Sequence, residues 1–552
     1  MKKIKYIATL VLLTICISLI QAQSLTRIDI SSSEQKGIKI DYFNGFQQPG
    51  YPLPLISFRL NKTLKTSLDG KRISDNETLV DGKVNISFSK PESLQEGGFT
   101  LNVTLQNTSK DTLKIGNIVP FGESDKHVYL TAGEKGQPLS RSYIFRPGYV
   151  PVNVTLPDNL WELGMGIINV DNGSSIAAIA RRDRTLSSHI KAGRFETTVY
   201  PQGRLVYKLY MDSYIGRWQD GVRLMFYERK LYDLPSDKKF DNTLYKREDL
   251  EWVRHNYVGH FTQFWNSYVY DTEKEEYVLD KFHDLSEKYF GGNDHYMVWC
   301  GWPVLGLDQR NQFDMTRALP GGLDKQKEIA NHYKEKGTSI FTHFNPWDIP
   351  SATAPLWESN KYENPMQEVS KICAQCGYSG FMFDTRSEAG LRYQKELDKY
   401  NNGTTIFPEG MATPANMEYC LIGRTHEALS MAPFLNLTRM IKPEFKVYRQ
   451  ATVQGKSRRR DSALSFFNGH GVEFQLFVSP ELDWVQDMYR FTGNTVRILR
   501  ENSDNFQTAD WNPLLPTAID SIWVNEWPLN NKIVYTIYSL RPEGYRGVLF
   551  EA

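Results

Sequence analysis

Gly380-Phe-Met-Phe-Asp384 is a run of four residues closed by an acid, and the text on both sides of it decides the fold. Upstream, Leu323 to Lys336 reads as an amphipathic helix stopped at Gly337, and Thr338-Ser-Ile-Phe-Thr-His-Phe344 reads as a strand. Asn364-Pro365 opens a further helix, with proline at its first position. Downstream, Leu391 to Tyr400 is helical and Thr404-Thr-Ile-Phe-Pro-Glu409 is again a strand. An earlier strand, Tyr296-Met-Val-Trp-Cys-Gly-Trp302, leads into a loop rich in Asp and Gly. Alternating strands and helices imply a parallel sheet with helical crossovers. The alternation runs through residues 236–511, about the ~250 residues of a (β/α)8 TIM barrel. A doubly wound sheet is the other solution, but no glycine-rich dinucleotide loop follows the first strand.

The flanks read differently. Residues 23–235 hold short alternating stretches such as Gly82 to Ser89 and Gly98 to Gln106, punctuated by Asp81-Gly82, Pro147-Gly148 and Asn172-Gly173. Many short strands with regular turn signals predict an N-terminal β-sandwich. In 512–552, Ser521 to Trp527 and Lys532 to Leu540 flank Leu529-Asn-Asn as a hairpin, the start of a C-terminal β-domain. Residues 1–22 carry Lys2, Lys3 and Lys5, then an apolar run to Ile20 and the small residue Ala22. That is the pattern of a signal peptide, so a secreted bacterial protein, periplasmic or at the cell surface, is expected. No later stretch reaches the ~18 apolar residues of a membrane span.

Composition narrows the function. With 65 Lys+Arg against 64 Asp+Glu the net charge is +1, and loss of the three leader lysines takes it to −2. That balance speaks against a polybasic nucleic-acid binder. Aromatic residues make up 13% of the chain, with 12 Trp, 30 Tyr and 29 Phe, a surplus open to two uses: sugar stacking or core packing. Cys373 and Cys376 share one helical face with Val369 and Ile372, which predicts buried core or a local disulfide. No second CxxC or His pair completes a zinc site, so no metal and no cofactor are expected.

In a barrel of this kind the chemistry lies at the C-terminal ends of the strands. The first strand then leads to Trp302, Asp308 and Asp314, and the second to His343, Asn345, Trp347 and Asp348. The third leads to Asp384, Arg386 and Glu388, and the fourth to Glu409. Asp384 and Glu409 each follow an apolar run directly and stand at the rim of neighbouring strands. Glycoside hydrolysis needs two such carboxylates, one to attack or stabilise the anomeric carbon and one to protonate the leaving oxygen.

On these residues, Gly380 to Asp384 followed by Thr385 resembles the nucleophile strand of α-amylase-like retaining α-glycosidase barrels. Glu409, in Phe407-Pro-Glu-Gly, takes the place of their acid/base. Phe467-Asn-Gly-His470 is similar to their later Asn-His signature, and the nucleophile strand is also similar to that of α-galactosidase-like barrels. The resemblance implies Asp384 as nucleophile, Glu409 as acid/base, and His470 as support for sugar hydroxyls, in a retaining hydrolase of an α-linked glycan. Met382 stands where the amylase pattern has arginine, with Arg386 as a substitute from the other side. No Asp follows His470.

Trp302 and Trp347 fit a pyranose platform or a cap on the barrel core equally well. His343 fits a hydroxyl ligand or a core histidine, Arg386 and Glu388 an ion pair, and Asp308 and Asn345 polar contacts to sugar. Two further readings stand beside the hydrolase: a glycan-binding protein with a degenerate barrel, and a metal-dependent hydrolase using His343 and Asp348. The second lacks any His-x-His or His-Glu-x-x-His spacing. A carbohydrate is the expected partner.

Overall fold

The computed structural model describes residues 27–29, 39–41, 49–94, 98–132, 142–156, 163–169, 173–193, 196–228, 240–299, 311–346, 364–386, 389–426 and 433–551. The chain forms two compact units, Met1–Leu231 and Tyr232–Ala552. The first is an antiparallel β domain. Its two longest strands, Ser174–Lys191 and Thr197–Ile215, pair with each other, and the second of them also pairs with Phe99–Asn107 and with Leu113–Pro120. Alternation puts Leu101, Val103 and Leu105 of one strand and Leu205, Tyr207 and Leu209 of the next into a single buried cluster.

The second unit is the expected parallel barrel. Its strands are β1 (Val258–Gln263), β2 (His295–Trp299), β3 (Ser339–Phe344), β4 (Gly380–Phe383), β5 (Thr405–Pro408), β6 (Ile422–Thr425), β7 (Lys446–Val453) and β8 (Gly471–Leu476). Parallel ladders run in the order β5-β4-β3-β2-β1-β8-β7-β6. At the seam between β5 and β6 the Arg424 amide donates to the Gly410 carbonyl at 3.0 Å, which nearly closes the barrel. Two glycines permit the tight inner wall. A Cβ at Gly380, whose φ is +143°, would lie 1.8 Å from the Thr405 carbonyl oxygen, and one at Gly259 would lie 2.0 Å from the His295 ring.

The helices are α1 (Leu279–Phe290), α2 (Gln312–Arg317), α3 (Gly322–Glu335), α4 (Pro365–Cys376), α5 (Leu391–Asp398), α6 (Arg459–Phe467) and α7 (Asp483–Glu501). Local chemistry sets the ends of α4. The Asn364 side chain accepts from the Gln367 amide, Pro365 takes the first position, and Gly377 closes the helix at φ 68°. Its buried face is Val369, Ile372, Cys373 and Cys376, and both thiols are free. The core reading of the CxxC pair therefore holds, without a disulfide.

The hairpin β9 (Ile522–Leu529) and β10 (Lys532–Ser539) belongs to this unit as well. Asn525 Nδ2 and Thr536 Oγ1 both donate to the Phe467 carbonyl at the end of α6, at 2.8 and 2.9 Å. Trp511 and Trp527 stack at 4.8 Å with both rings buried. Among the described residues no helix is long and apolar enough to cross a membrane.

Candidate active site

Asp384 and Glu409 meet because of strand register. β4 and β5 pair Phe383 with Pro408, so the next residue on each strand is an acid beside an acid. The ladder runs on past the strand ends: the Asp384 amide donates to the Phe344 carbonyl at 3.0 Å, and the Glu409 amide to the Phe383 carbonyl at 3.1 Å. Backbones about 4.8 Å apart leave two carboxyls little room to avoid each other.

The Glu409 carboxyl lies within hydrogen-bond reach of Asp384. Burial, then the Glu409 charge and that hydrogen bond, raise the Asp384 pKa to about 7. Near neutrality Asp384 is thus partly protonated beside Glu409. Asp384 is the deeper member, 7% exposed, whereas Glu409 is half-buried at the rim.

Fixed donors surround the deeper acid. Asn345 Nδ2 donates to Asp384 Oδ2 at 2.6 Å. Gln312, the first residue of α2, braces Asn345 from both sides: its Oε1 accepts from the Asn345 amide and its Nε2 donates to the Asn345 carbonyl, each at 2.7 Å. The Thr385 amide is shared by the two acids, 3.0 Å from Asp384 Oδ1 and 2.7 Å from Glu409 Oε2. Thr385 has φ 58°, a conformation rare for a β-branched residue, and that backbone aims its N–H at both carboxyls.

Below this layer lies a cation. Arg424 of β6 is 2% exposed, places its guanidinium 5.1 Å from the Phe407 ring centroid, and acts on Asp384 to lower its pKa against the larger upward push. Its Nη2 is 2.5 Å from Oε1 of Glu473, and Nε2 of His295 is 3.3 Å from the other Glu473 oxygen. Arg386 is exposed, and its carbonyl accepts from the Gly410 amide. His426, one residue past β6, donates from Nε2 to the Glu409 carbonyl at 3.0 Å.

The other expected residues separate into three groups. His343 is buried and stacks on Trp299 at 4.6 Å; burial pulls its pKa down to about 4, against a small opposing effect of the Val298 carbonyl. It is a neutral ring one layer below the acids. His470 precedes β8 and therefore stands at the N-terminal end of the barrel, buried behind Gly469, at the opposite end from Asp384. Asp314 sits in the first turn of α2, where it accepts from Asn311 Nδ2 at 2.9 Å. Trp302, Asp308, Trp347, Asp348 and Glu388 lie outside the described residues.

Gln312, Arg424 and His426 were not singled out from the sequence. Arg424, in the strand Ile422-Gly-Arg-Thr425, carried a usable signal: a cation within a short buried strand must meet an anion. Among the described residues no cluster of His, Cys, Asp and Glu could hold a metal ion.

No family model matches the chain, and no curated protein matches it. Among solved structures it is similar to α-N-acetylgalactosaminidase NagBb from Bifidobacterium bifidum, with a TM-score of 0.45, 11% identity, and coverage of 86% of this chain and 91% of that one. It is also similar to a GH36 α-galactosidase from Geobacillus stearothermophilus, with a TM-score of 0.40, 11% identity and coverage of 93% and 77%. A noncanonic maltogenic α-amylase from Thermotoga neapolitana aligns with a TM-score of 0.36, 10% identity and coverage of 52% and 86%.

Proposed function

We propose that this chain is a retaining glycoside hydrolase acting on an α-linked glycan, with Asp384 as nucleophile and Glu409 as acid/base. The observation that carries the reading is the carboxyl pair at the ends of β4 and β5, within hydrogen-bond reach of each other. A close-set pair suits a retaining enzyme, whose carboxyls stand ~5–5.5 Å apart, rather than an inverting one, which leaves ~6.5–9.5 Å for a water.

The environments support the division of roles. Asp384 is deep and takes two fixed donors, Asn345 Nδ2 and the Thr385 amide, which favour its anion and hold it in one rotamer. Glu409 is nearer to solvent, where a group must protonate a leaving oxygen and later activate water. As the bond from the anomeric carbon to the leaving oxygen breaks, Glu409 gives that oxygen a proton and Asp384, as its carboxylate, bonds to the carbon. In the second step Glu409 takes a proton from water as the water oxygen bonds to the carbon and the bond to Asp384 breaks. The likeness of Gly380 to Asp384 to α-glycosidase nucleophile strands favours the α anomer.

The test is hydrolysis of a panel of nitrophenyl α-glycosides and of α-linked oligosaccharides, with the first-formed anomer read by NMR. Wild type should release the α anomer, and Glu409→Gln should lose far more rate on oligosaccharides than on nitrophenyl substrates, whose leaving group needs little protonation. Release of the β anomer, or equal losses on both substrate types, would overturn the assignment.

A further inference from the structure

Opposite the acid pair, the barrel wall carries three glutamines. Gln263 ends β1, Gln475 lies near the end of β8, and Gln450 lies in β7. Their direction follows from residues lower on the same strands. Gly259 is on the inner wall, since a Cβ there would strike the His295 ring, and period two puts Gln263 on that wall as well. Tyr448 packs inward, 5.1 Å from His295 and 5.2 Å from Phe407, so Gln450 and Thr452 also face in. Glu473 meets Arg424 and His295 inside the barrel, and Gln475 follows it by two. Register sets the height: Gln263 pairs with Trp299, Trp299 stacks on His343, and His343 pairs with Met382, two residues before Asp384.

Gln263 and Gln450 are buried and Gln475 is half-buried, and their amides are incompletely used. Gln475 Oε1 accepts from Gln450 Nε2 at 2.5 Å and from Thr452 Oγ1 at 3.0 Å. Gln450 Oε1 and Gln263 Nε2 then meet no hydrogen-bond partner among the described residues, although the two residues are only 7% and 4% exposed. A buried polar atom left this way is costly to the fold. Here an acceptor and a donor are left open on the same wall, and neither can ionise. The charges beneath them, Glu473 and Arg424, neutralise each other.

We propose that Gln263 and Gln450 form the subsite that reads the hydroxyls of an uncharged pyranose whose anomeric carbon rests at Asp384. The assignment builds on the hydrolase reading above and adds the substrate class. β1 and β7, which carry the two open amides, each stand three strands from β4 around the eight-stranded barrel, so a ring with C1 at Asp384 turns its far edge toward them. A hydroxyl both donates and accepts and so meets the open acceptor and the open donor together. The carboxylate of a uronic acid only accepts, leaves the Gln450 oxygen unmet and finds no free cation there among the described residues, because Arg424 is paired with Glu473.

The test uses the full chain with Glu409→Gln, to prevent turnover, and saturation-transfer NMR and calorimetry with the methyl α-glycosides of glucose, galactose and mannose. Their deoxy analogues and the corresponding uronic acids complete the panel. At least one neutral glycoside should bind, its uronic acid should bind at least tenfold more weakly, and one deoxy analogue should lose about 10–100-fold, as one unmet buried partner predicts. In a Gln263→Ala or Gln450→Ala background that deoxy penalty should vanish. Gln263→Glu, which keeps the volume and replaces the donor with an acceptor, should lose binding while its circular dichroism is unchanged.

No binding by any neutral glycoside, uronate binding as tight as neutral binding, or a deoxy penalty that persists in both alanine backgrounds would each overturn the subsite. The two readings fail separately. Coupled amides in a wild-type chain that hydrolyses nothing would sink the hydrolase alone, and turnover with uncoupled amides would sink the subsite alone.

Discussion

The mouth of the barrel and the layer beneath it both bury carboxylates, and they hold them in opposite ways. In the lower layer Glu473 is fully buried; burial alone would raise its pKa, but Arg424 and His295 outweigh it and the net direction is down. At the mouth Asp384 is nearly as buried, yet its nearest ionisable neighbour is another carboxyl, and its pKa goes up to about 7. Burial is common to both, so the partner decides the sign. The lower layer has the arrangement expected of structure, an anion with its countercharge. The mouth has the arrangement expected of chemistry, two like groups kept close at a cost in stability. Arg424 belongs to both layers, because it pairs Glu473 and also moderates Asp384.

The comparison breaks most sharply at Asp384. If Asp384 is the nucleophile proposed above, Asp384→Asn should lower kcat by at least about 10³-fold, since the covalent step is lost, and steady-state kinetics on the best nitrophenyl glycoside measures it. In the lower layer the expected damage is to folding. Glu473→Gln leaves Arg424 buried without its anion and should cost about 3–5 kcal/mol, read by urea unfolding at pH 7. A loss below about 1 kcal/mol would mean that the lower layer is not held by charge pairing.

The same two layers should differ in the sign of their pH dependence. The Asp384 pKa is about 7 in the folded chain, above its ordinary 3.8, so its contribution to stability is full below pH 4 and disappears as pH rises through 7. Asp384→Asn should therefore be more stable than wild type at pH 8, by on the order of 1–3 kcal/mol, and equal to it near pH 4. Thermal melts of both proteins across that range check the crossover. A constant offset at all pH values would show that Asp384 is not strained by its neighbour.

Much of this was legible in the sequence where a local rule was strong. The helix at Pro365 announced itself by its cap and its proline, and both acids announced themselves as the first polar residues after apolar strands. Strand pairing between β4 and β5 then followed from the βαβ order alone. What could not be read was any contact between strands distant in order. Gln312 reaches Asn345 from a short helix 33 residues earlier, and Arg424 meets Glu473 across 49 positions of chain, so no spacing rule connects them. His470 shows the converse error: a short motif matched a familiar signature, but Gly469 turns the chain into β8 there, and a residue entering a strand stands at the wrong end of a barrel for catalysis. The tryptophans divide in the same manner. Trp299, Trp511 and Trp527 are buried packing, which composition could not separate from a sugar platform.

The smallest expected effect sits between the two acids, at Thr385. Its φ of 58° is unfavourable for a β-branched side chain, by about 1–3 kcal/mol, and it meets the two acids through its backbone N–H, shared by Asp384 and Glu409. Glycine keeps that N–H and adopts the conformation freely, but it loses about 0.5–1 kcal/mol through the greater freedom of the unfolded chain. Thr385→Gly should accordingly be stabilised by about 1 kcal/mol, and by no more than about 2.5, the difference of these two effects, and should keep kcat within a few-fold of wild type. Urea unfolding and steady-state kinetics on one preparation decide it. A tenfold fall in kcat with stability unchanged would mean that the threonine side chain itself touches substrate. A clear loss of stability would mean that the left-handed turn is held by the side chain and not imposed on it, and the mouth of the barrel would then be less strained than its two adjacent carboxyls imply.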